Sequence, residues 1–302
     1  MTDSLKAAAE AARHEALALL ETGGFSAALA AYDRALETAN ATNDAAFIDW
    51  MFVCRAAAAA ELGPADQELV ELKCVLLRSL DPGTSFRAAY TAARIYEIRR
   101  NYPRAASYNA RARALVVRLS DPLLTGAAEH QAGSILTADS RFAEASASYR
   151  RCLDLADVFS PAWRAICQDN LGYCLIALDQ ASEGLALVHE AFETFEALGA
   201  RAYSIVPLGD LCFGYLKSDR YAEARYFGEA ALERLAEPDA AGETASSEKN
   251  ILYLLGETCH LAGDDGASRA YFDRLASFYP EFRNLRSYLE VFDFRNVINL
   301  RS

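Results

Sequence analysis

The chain has 302 residues, with 42 Asp and Glu against 30 Lys and Arg, and a formal net charge of −12. Such a surface has no cationic excess for phosphates, which excludes nucleic acid or an anionic membrane as a first choice of partner. Hydrophobic residues make up 52% of it and only 16 Gly and 8 Pro are present, so a long chain with much to bury and few turns points to helices built by repetition.

Met-Thr-Asp-Ser-Leu-Lys runs into an amphipathic, Ala-rich stretch carrying Glu10, Arg13 and Glu15, and no apolar run long enough to span a bilayer follows. A soluble, cytoplasmic protein without a signal peptide is expected. The seven cysteines (Cys54, Cys74, Cys152, Cys167, Cys174, Cys212, Cys259) show no Cys-x-x-Cys spacing and read as small core residues in a reducing compartment.

In chain order the predicted helices come in pairs: 4–21 with 26–40, 44–62 with 65–80, 84–99 with 103–119, and 122–138 with 142–156. The series continues with 161–178 and 181–198, 202–217 and 221–236, then 244–262 and 265–278. Asp81-Pro82-Gly83, Asp121-Pro122, Ser160-Pro161 and Glu237-Pro238-Asp239 punctuate the pairs, and Gly23-Gly24, Gly63-Pro64 and Gly263 turn the chain inside them. The connection from Glu237 to Ser247 is polar and is expected to be mobile.

One register runs through all of them. Ala16, Leu19, Phe25, Ala28, Tyr32 and Ala35 return as Ala93, Tyr96, Tyr102, Ala105, Asn109 and Ala112, and again as Gly133, Leu136, Phe142, Ala145, Tyr149 and Cys152. Further copies are Gly172, Leu175, Ala181, Gly184, Val188, Ala191 and Cys212, Tyr215, Tyr221, Ala224, Gly228, Ala231. Looser ones begin at Ala56 and Gly256. The residue early in each second helix (Ala28, Glu68, Ala105, Ala145, Gly184, Ala224, Ser268) recurs at steps of 40, 37, 40, 39, 40 and 44. Small residues let two helices approach and aromatic rings fill what remains, while each pair needs neighbours to cover its other face.

These residues resemble the tetratricopeptide repeat family over about residues 4 to 280, with Asn170-Leu171-Gly172-Tyr173 and Tyr221-Ala222-Glu223-Ala224 closest to its pattern. A period near 40 is similar to the long-repeat branch of kinesin light chain, LGN-type scaffolds and bacterial Rap-type peptide sensors. The resemblance implies an all-α, right-handed superhelical solenoid of about seven antiparallel helix pairs, one domain over 1–302. The repeats are 4–40, 44–80, 84–119, 122–156, 161–198, 202–236 and 244–278, with a C-terminal cap and tail at 281–302. Glu281 to Ser302 reads as one more helix with Leu285, Tyr288 and Leu289, then an apolar tail with Phe292, Phe294, Val297, Ile298 and Leu300. The tail either caps the last repeat, fills the groove, or pairs with a second chain as a homodimer.

No catalytic pattern stands out. The four histidines (His14, His130, His189, His260) lie in four different repeats with no ligand partner a helical turn away, and Gly-x-Ser-x-Gly and phosphate-binding glycine loops are absent. No enzyme activity, metal or cofactor is expected. The resemblance implies instead that the first helix of each pair lines a concave face that takes an extended peptide or short helix of a partner protein. Carried through the register, that face holds Arg13, Trp50, Arg87, Tyr90, Arg94, His130, Gln131, Asp169, Asn170, Tyr173, Asp210, Phe213, Tyr253 and Glu257. Asn170 and Gln131 would bond a peptide backbone, Arg87 and Arg94 a carboxylate, and Trp50, Tyr90 and Tyr173 side chains. The function expected is a protein-interaction scaffold; a Rap-like signal-peptide sensor and a protein that self-associates through its tail are the alternatives.

Overall fold

In the computed structural model of the chain, residues 2–21, 25–63, 65–237 and 244–301 are described. Among them every regular element is helical. In order these are α1 (Thr2–Glu21), α2 (Phe25–Asn40), α3 (Ala45–Leu62), α4 (Asp66–Arg78), α5 (Pro82–Ile98), α6 (Tyr102–Leu119), α7 (Pro122–Ala138) and α8 (Phe142–Leu153). Then follow α9 (Pro161–Ala177), α10 (Ala181–Ala197), α11 (Ile205–Lys217), α12 (Tyr221–Leu235), α13 (Thr244–Leu261), α14 (Asp265–Ala276) and the five-residue α15 (Leu285–Leu289). The expected turns at Gly23-Gly24, at Pro64 and at Pro238-Asp239, with most of the 237–247 connection, lie outside the described residues.

Local chemistry explains where the helices start. The side chains of Asp44, Asp81, Asn101, Ser160 and Asp264 accept the backbone N–H three residues on at 3.1, 2.6, 3.3, 3.2 and 3.0 Å, capping donors that have no partner inside a helix. Pro82 and Pro161 follow two of these caps at the first helical position, where the missing N–H costs nothing. The helix expected from 202 begins only at Ile205, after one tight 3-10 turn over Arg201–Ser204, because Pro207 belongs in a first turn.

The repeat is also written in the backbone. Arg100, Ser140, Asp179 and Asp219 turn left-handed with φ of 55°, 59°, 61° and 56°, and Gly263 does so at 80°. They sit between the first and second helix of successive pairs, where one left-handed residue lets the chain double back.

Residues 1–135 and 136–302 form two compact units. The first is held by fully buried Leu72, Val75 and Met51 with Tyr32, Phe86 and Tyr96. In the second, Tyr149, Tyr173, Phe213 and Phe272 are fully buried with Leu175, Leu211 and Leu216. There α9 packs on α10, α11 on α12 and α13 on α14, and the first helices of these pairs lie side by side, α9 beside α11 and α11 beside α13. The approach of α9 to α10 depends on Gly172 and Gly184: a Cβ on Gly172 would stand 2.8 Å from the Gly184 carbonyl oxygen, and one on Gly184 would stand 2.6 Å from that of Gly172. The cysteines are free thiols, buried except for Cys74, which is partly exposed.

The C-terminal segment differs from the expectation. Its helix is the single turn of α15, packed on α14, and from Glu290 the chain runs without regular structure beyond isolated turns. Pro280 before it and the alternation of Phe, Arg and Asn after it deny the segment a continuous apolar stripe, so it takes its shape from what it lies against.

Candidate peptide-binding face

In the first unit the expected residues fall into two groups. Trp50 on α3 lies between two guanidinium groups, Arg13 of α1 at 5.8 Å and Arg87 of α5 at 5.2 Å from its ring centre. Arg13 is also bonded to Glu10 at 2.6 Å. The second group is turned on itself. Arg94 grips Glu61 through two bonds of 3.0 Å and reaches Glu97 at 3.5 Å, so it does not stand ready for a partner's carboxylate as the sequence suggested. Gln131 is buried, donating to the Tyr90 carbonyl at 2.9 Å and accepting from Asn109 at 3.0 Å. Both ends of its amide are spent on joining α5, α6 and α7, and a peptide backbone is not what it serves. Tyr90 is only partly exposed, and desolvation pushes its hydroxyl up to about 12. Burial, with Arg94 nearby, brings His130 down to about 4, so its ring is neutral at physiological pH.

In the second unit the expected residues converge, and what they converge on is the chain's own tail. Asp169 of α9 and Asp210 of α11, both buried, face the guanidinium of Arg301. One nitrogen lies 3.1 Å from the Asp169 carboxylate and in a short ion pair with Asp210. The same guanidinium stands over the Tyr173 ring at 5.0 Å, and that ring packs beside Phe213 at 5.7 Å. Tyr173 donates its hydroxyl to Asn299 at 3.1 Å and accepts the Leu300 N–H at 2.9 Å. Asn250 of α13 donates to the Leu300 carbonyl at 2.8 Å. Asn299 in turn donates to the Thr137 carbonyl at 2.7 Å and to Ser140 at 3.0 Å.

Toward α13 the tail brings a second arginine. Arg295 bonds Asp293 at 2.8 Å and Asp219 at 3.0 Å, and Asp293 and Arg295 lie near the buried Glu257 and Tyr253. Phe294, Ile298 and Leu300 pack onto the core, while Phe292 and Val297 remain exposed. Asn170 is partly exposed on α9.

The electrostatics follow from burial. Desolvation drives the carboxyls of Asp169 and Asp210 upward against the pull of Arg301. The guanidinium loses hydration as well, but Asp210 and Asp169 outweigh that loss and keep it ionised. Glu257 is pushed up to about 7, first by desolvation and then by the neighbouring Asp293. One oxygen of Asp169 and one of Glu257 are buried with no hydrogen-bond partner among the described residues. Reasoning from the sequence weighed only the apolar residues of the tail and passed over Arg295, Asn299 and Arg301. The available signal was their charge and amide groups, which match the acids expected on α9, α11 and α13.

Among the described residues no three His, Cys, Asp or Glu side chains converge as metal ligands, and no helix is long and apolar enough to cross a membrane.

Helix pairs whose first helices lie side by side within each unit, α3 beside α5 in the first and α9, α11 and α13 in the second, define an all-α repeat protein with the tetratricopeptide-repeat-like fold. No family model and no curated protein matches the chain, and the solved structures below, at 11 to 16% identity, establish that fold alone. NprR in complex with its cognate peptide NprX is similar at 11% identity and a TM-score of 0.69, over 93% of this chain and 81% of that one. The apo form of RapI is similar at 12% identity and a TM-score of 0.66, over 91% and 99%. A signal-transduction ATPase with a tetratricopeptide repeat sensor, from Pyrococcus horikoshii, aligns at 16% identity and a TM-score of 0.66. That match takes in 97% of this chain but 46% of the ATPase.

Proposed function

We propose that this chain is a non-enzymatic protein-interaction scaffold that binds a peptide or helix of a partner protein in a concave groove lined by the first helices of its repeats. One observation carries the reading: residues 293–301, a segment almost without regular structure, lie against α9, α11 and α13 and are held there through backbone and side-chain bonds. A face that accepts one peptide segment in this way has the donors, acceptors and rings to accept another. The likeness to NprR, a structure solved with a peptide, supports the narrower form in which the chain senses a signal peptide.

On this reading the chain works in the cytoplasm as one solenoid domain over 1–302. Arg13, Trp50 and Arg87 supply a cationic and aromatic contact. Asp169, Asn170, Tyr173, Asp210, Phe213, Tyr253 and Glu257 supply an acidic and aromatic one. Tyr90, Arg94, His130 and Gln131 shape the groove from behind.

Photo-crosslinking in cells tests this. A benzophenone amino acid at Asn170 or Trp50 should capture the same partner, and at Tyr226, exposed on the outer helix α12, should not. Equal capture from Tyr226 would move the interaction to the other face and overturn the proposal.

A further inference from the structure

The acids of the second unit say which peptide this face prefers. We propose that α9, α11 and α13 form an arginine-specific peptide site, that residues 293–301 are its tethered internal occupant, and that the external ligand is an arginine-bearing segment of a partner protein that displaces them. The inference rests on the peptide-binding reading of this face and adds the chemistry of the ligand and the competition for it.

The geometry singles out arginine. Asp169 and Asp210 come from two different helices and meet at one guanidinium, above the Tyr173 ring. A planar cation places one terminal nitrogen between the two carboxylates while its face lies over the Tyr173 ring, an arrangement that the compact ammonium of lysine, with no planar face, does not reproduce. The backbone on the N-terminal side of that arginine is read as well. Tyr173 takes the Leu300 N–H and Asn250 donates to its carbonyl, while the Asn299 amide is fixed by Tyr173, Thr137 and Ser140. The sequence read here is therefore Asn-Leu-Arg, with the Arg301 N–H turned back onto the Asn299 side chain at 2.9 Å.

The tail is an imperfect ligand. It leaves one oxygen of Asp169 and one of Glu257 buried and unmet, and a buried acceptor without a partner weakens the hold of whatever covers it. It also places Asp293 near Glu257, acid against acid. What holds it in place is its tether, because a linked segment competes at an effective concentration in the millimolar range. A free peptide with a cation where the tail has Asp293 meets the unspent oxygen of Glu257 and removes the repulsion, and so outcompetes the tail at modest concentration.

Fluorescence anisotropy on the full chain tests this, using a labelled synthetic peptide of residues 291–302. The wild type should bind it weakly and the Arg301→Ala chain at least tenfold more tightly, since its own tail no longer fills the site. Adding Asp169→Asn and Asp210→Asn, isosteric changes whose effect on folding circular dichroism checks, should lose at least tenfold again. A peptide with Asp293→Lys should bind more tightly than the native sequence, and one with Arg301→Ala should not bind.

Equal affinity of wild type and Arg301→Ala would show that the tail does not compete, and overturn the proposal. Binding that ignores the peptide's arginine would overturn the arginine site while leaving the groove reading intact. Should no form bind any peptide, the inference fails, and the crosslinking from Asn170 and Trp50 decides separately whether the scaffold reading fails with it. A wild-type dimer in light scattering that Arg301→Ala dissolves would put a second copy's tail on this face and overturn the self-docked arrangement.

Discussion

Glu257 sits on α13 at 2% exposure with one carboxylate oxygen unmet, and water does not stabilise its charge there. Its carboxyl holds a proton up to about 7, through burial first and the nearby Asp293 second, with Arg295 pulling the other way. The unfolded chain releases that proton in the ordinary carboxylate range, so between those two values the folded state binds more protons and loses stability as pH rises. Glu257→Gln should remove a fall on the order of 2 kcal/mol between about pH 4.5 and 7. Urea unfolding read from Trp163 of α9 in a Trp50→Phe background would measure it. The same slope in both chains would show that Glu257 is already ionised at neutral pH. The sequence placed Glu257 on the helix over 244–262, which is α13; that it is buried beside a tail acid 36 residues on depends on how the chain folds back.

Among the elements, glycine has two opposite meanings, and the repeat register separates them. Gly172 lies where α9 and α10 nearly touch, and a Cβ there would meet the Gly184 carbonyl oxygen at 2.8 Å and crowd Val188. Gly209, inside α11, has only Ile251 at 3.8 Å. Gly172→Ala should destabilise by about 2 kcal/mol or more through overpacking, whereas Gly209→Ala should stabilise by up to about 1 kcal/mol by helix propensity. Thermal unfolding of the two variants should shift in opposite directions, and a shift of the same sign would mean that the α9 and α10 backbones are not in contact. The helices themselves were legible because small and aromatic residues recur at a fixed step and Asp, Asn and Ser side-chain caps mark where several of them begin. The turns were less so: Arg100, Ser140, Asp179 and Asp219 turn left-handed without being glycine, and nothing in those residue types announces it. After Pro280 the sequence offered a helix with Leu285, Tyr288 and Leu289 and then an apolar tail; the helix is one turn long, and the tail's course was not legible because it is set by Asn299 and Arg301, which find partners on α7, α9 and α11.

For the whole chain, a periodic pattern announces its local neighbours and says little about contacts that skip the period. The repeat contacts are of the first kind: Arg225 to Asp264 spans 39 residues and Tyr271 to Glu229 spans 42. The tail contacts are of the second, with Tyr173 reaching Asn299 across 126 residues and Thr137 reaching it across 162. That difference is also one of time. Contacts close in sequence form early and distant ones wait until the elements they join exist. The docking surface for Arg301 needs α9, α11 and α13 already stacked, so closure of the tail belongs after the rate-limiting barrier of the second unit. Arg301→Ala should then leave the refolding rate unchanged and speed unfolding, as stopped-flow fluorescence of Trp163 would record. The second unit thus finishes its helix pairs with Asp169 and Asp210 uncovered, and covers them last with a segment of the same chain.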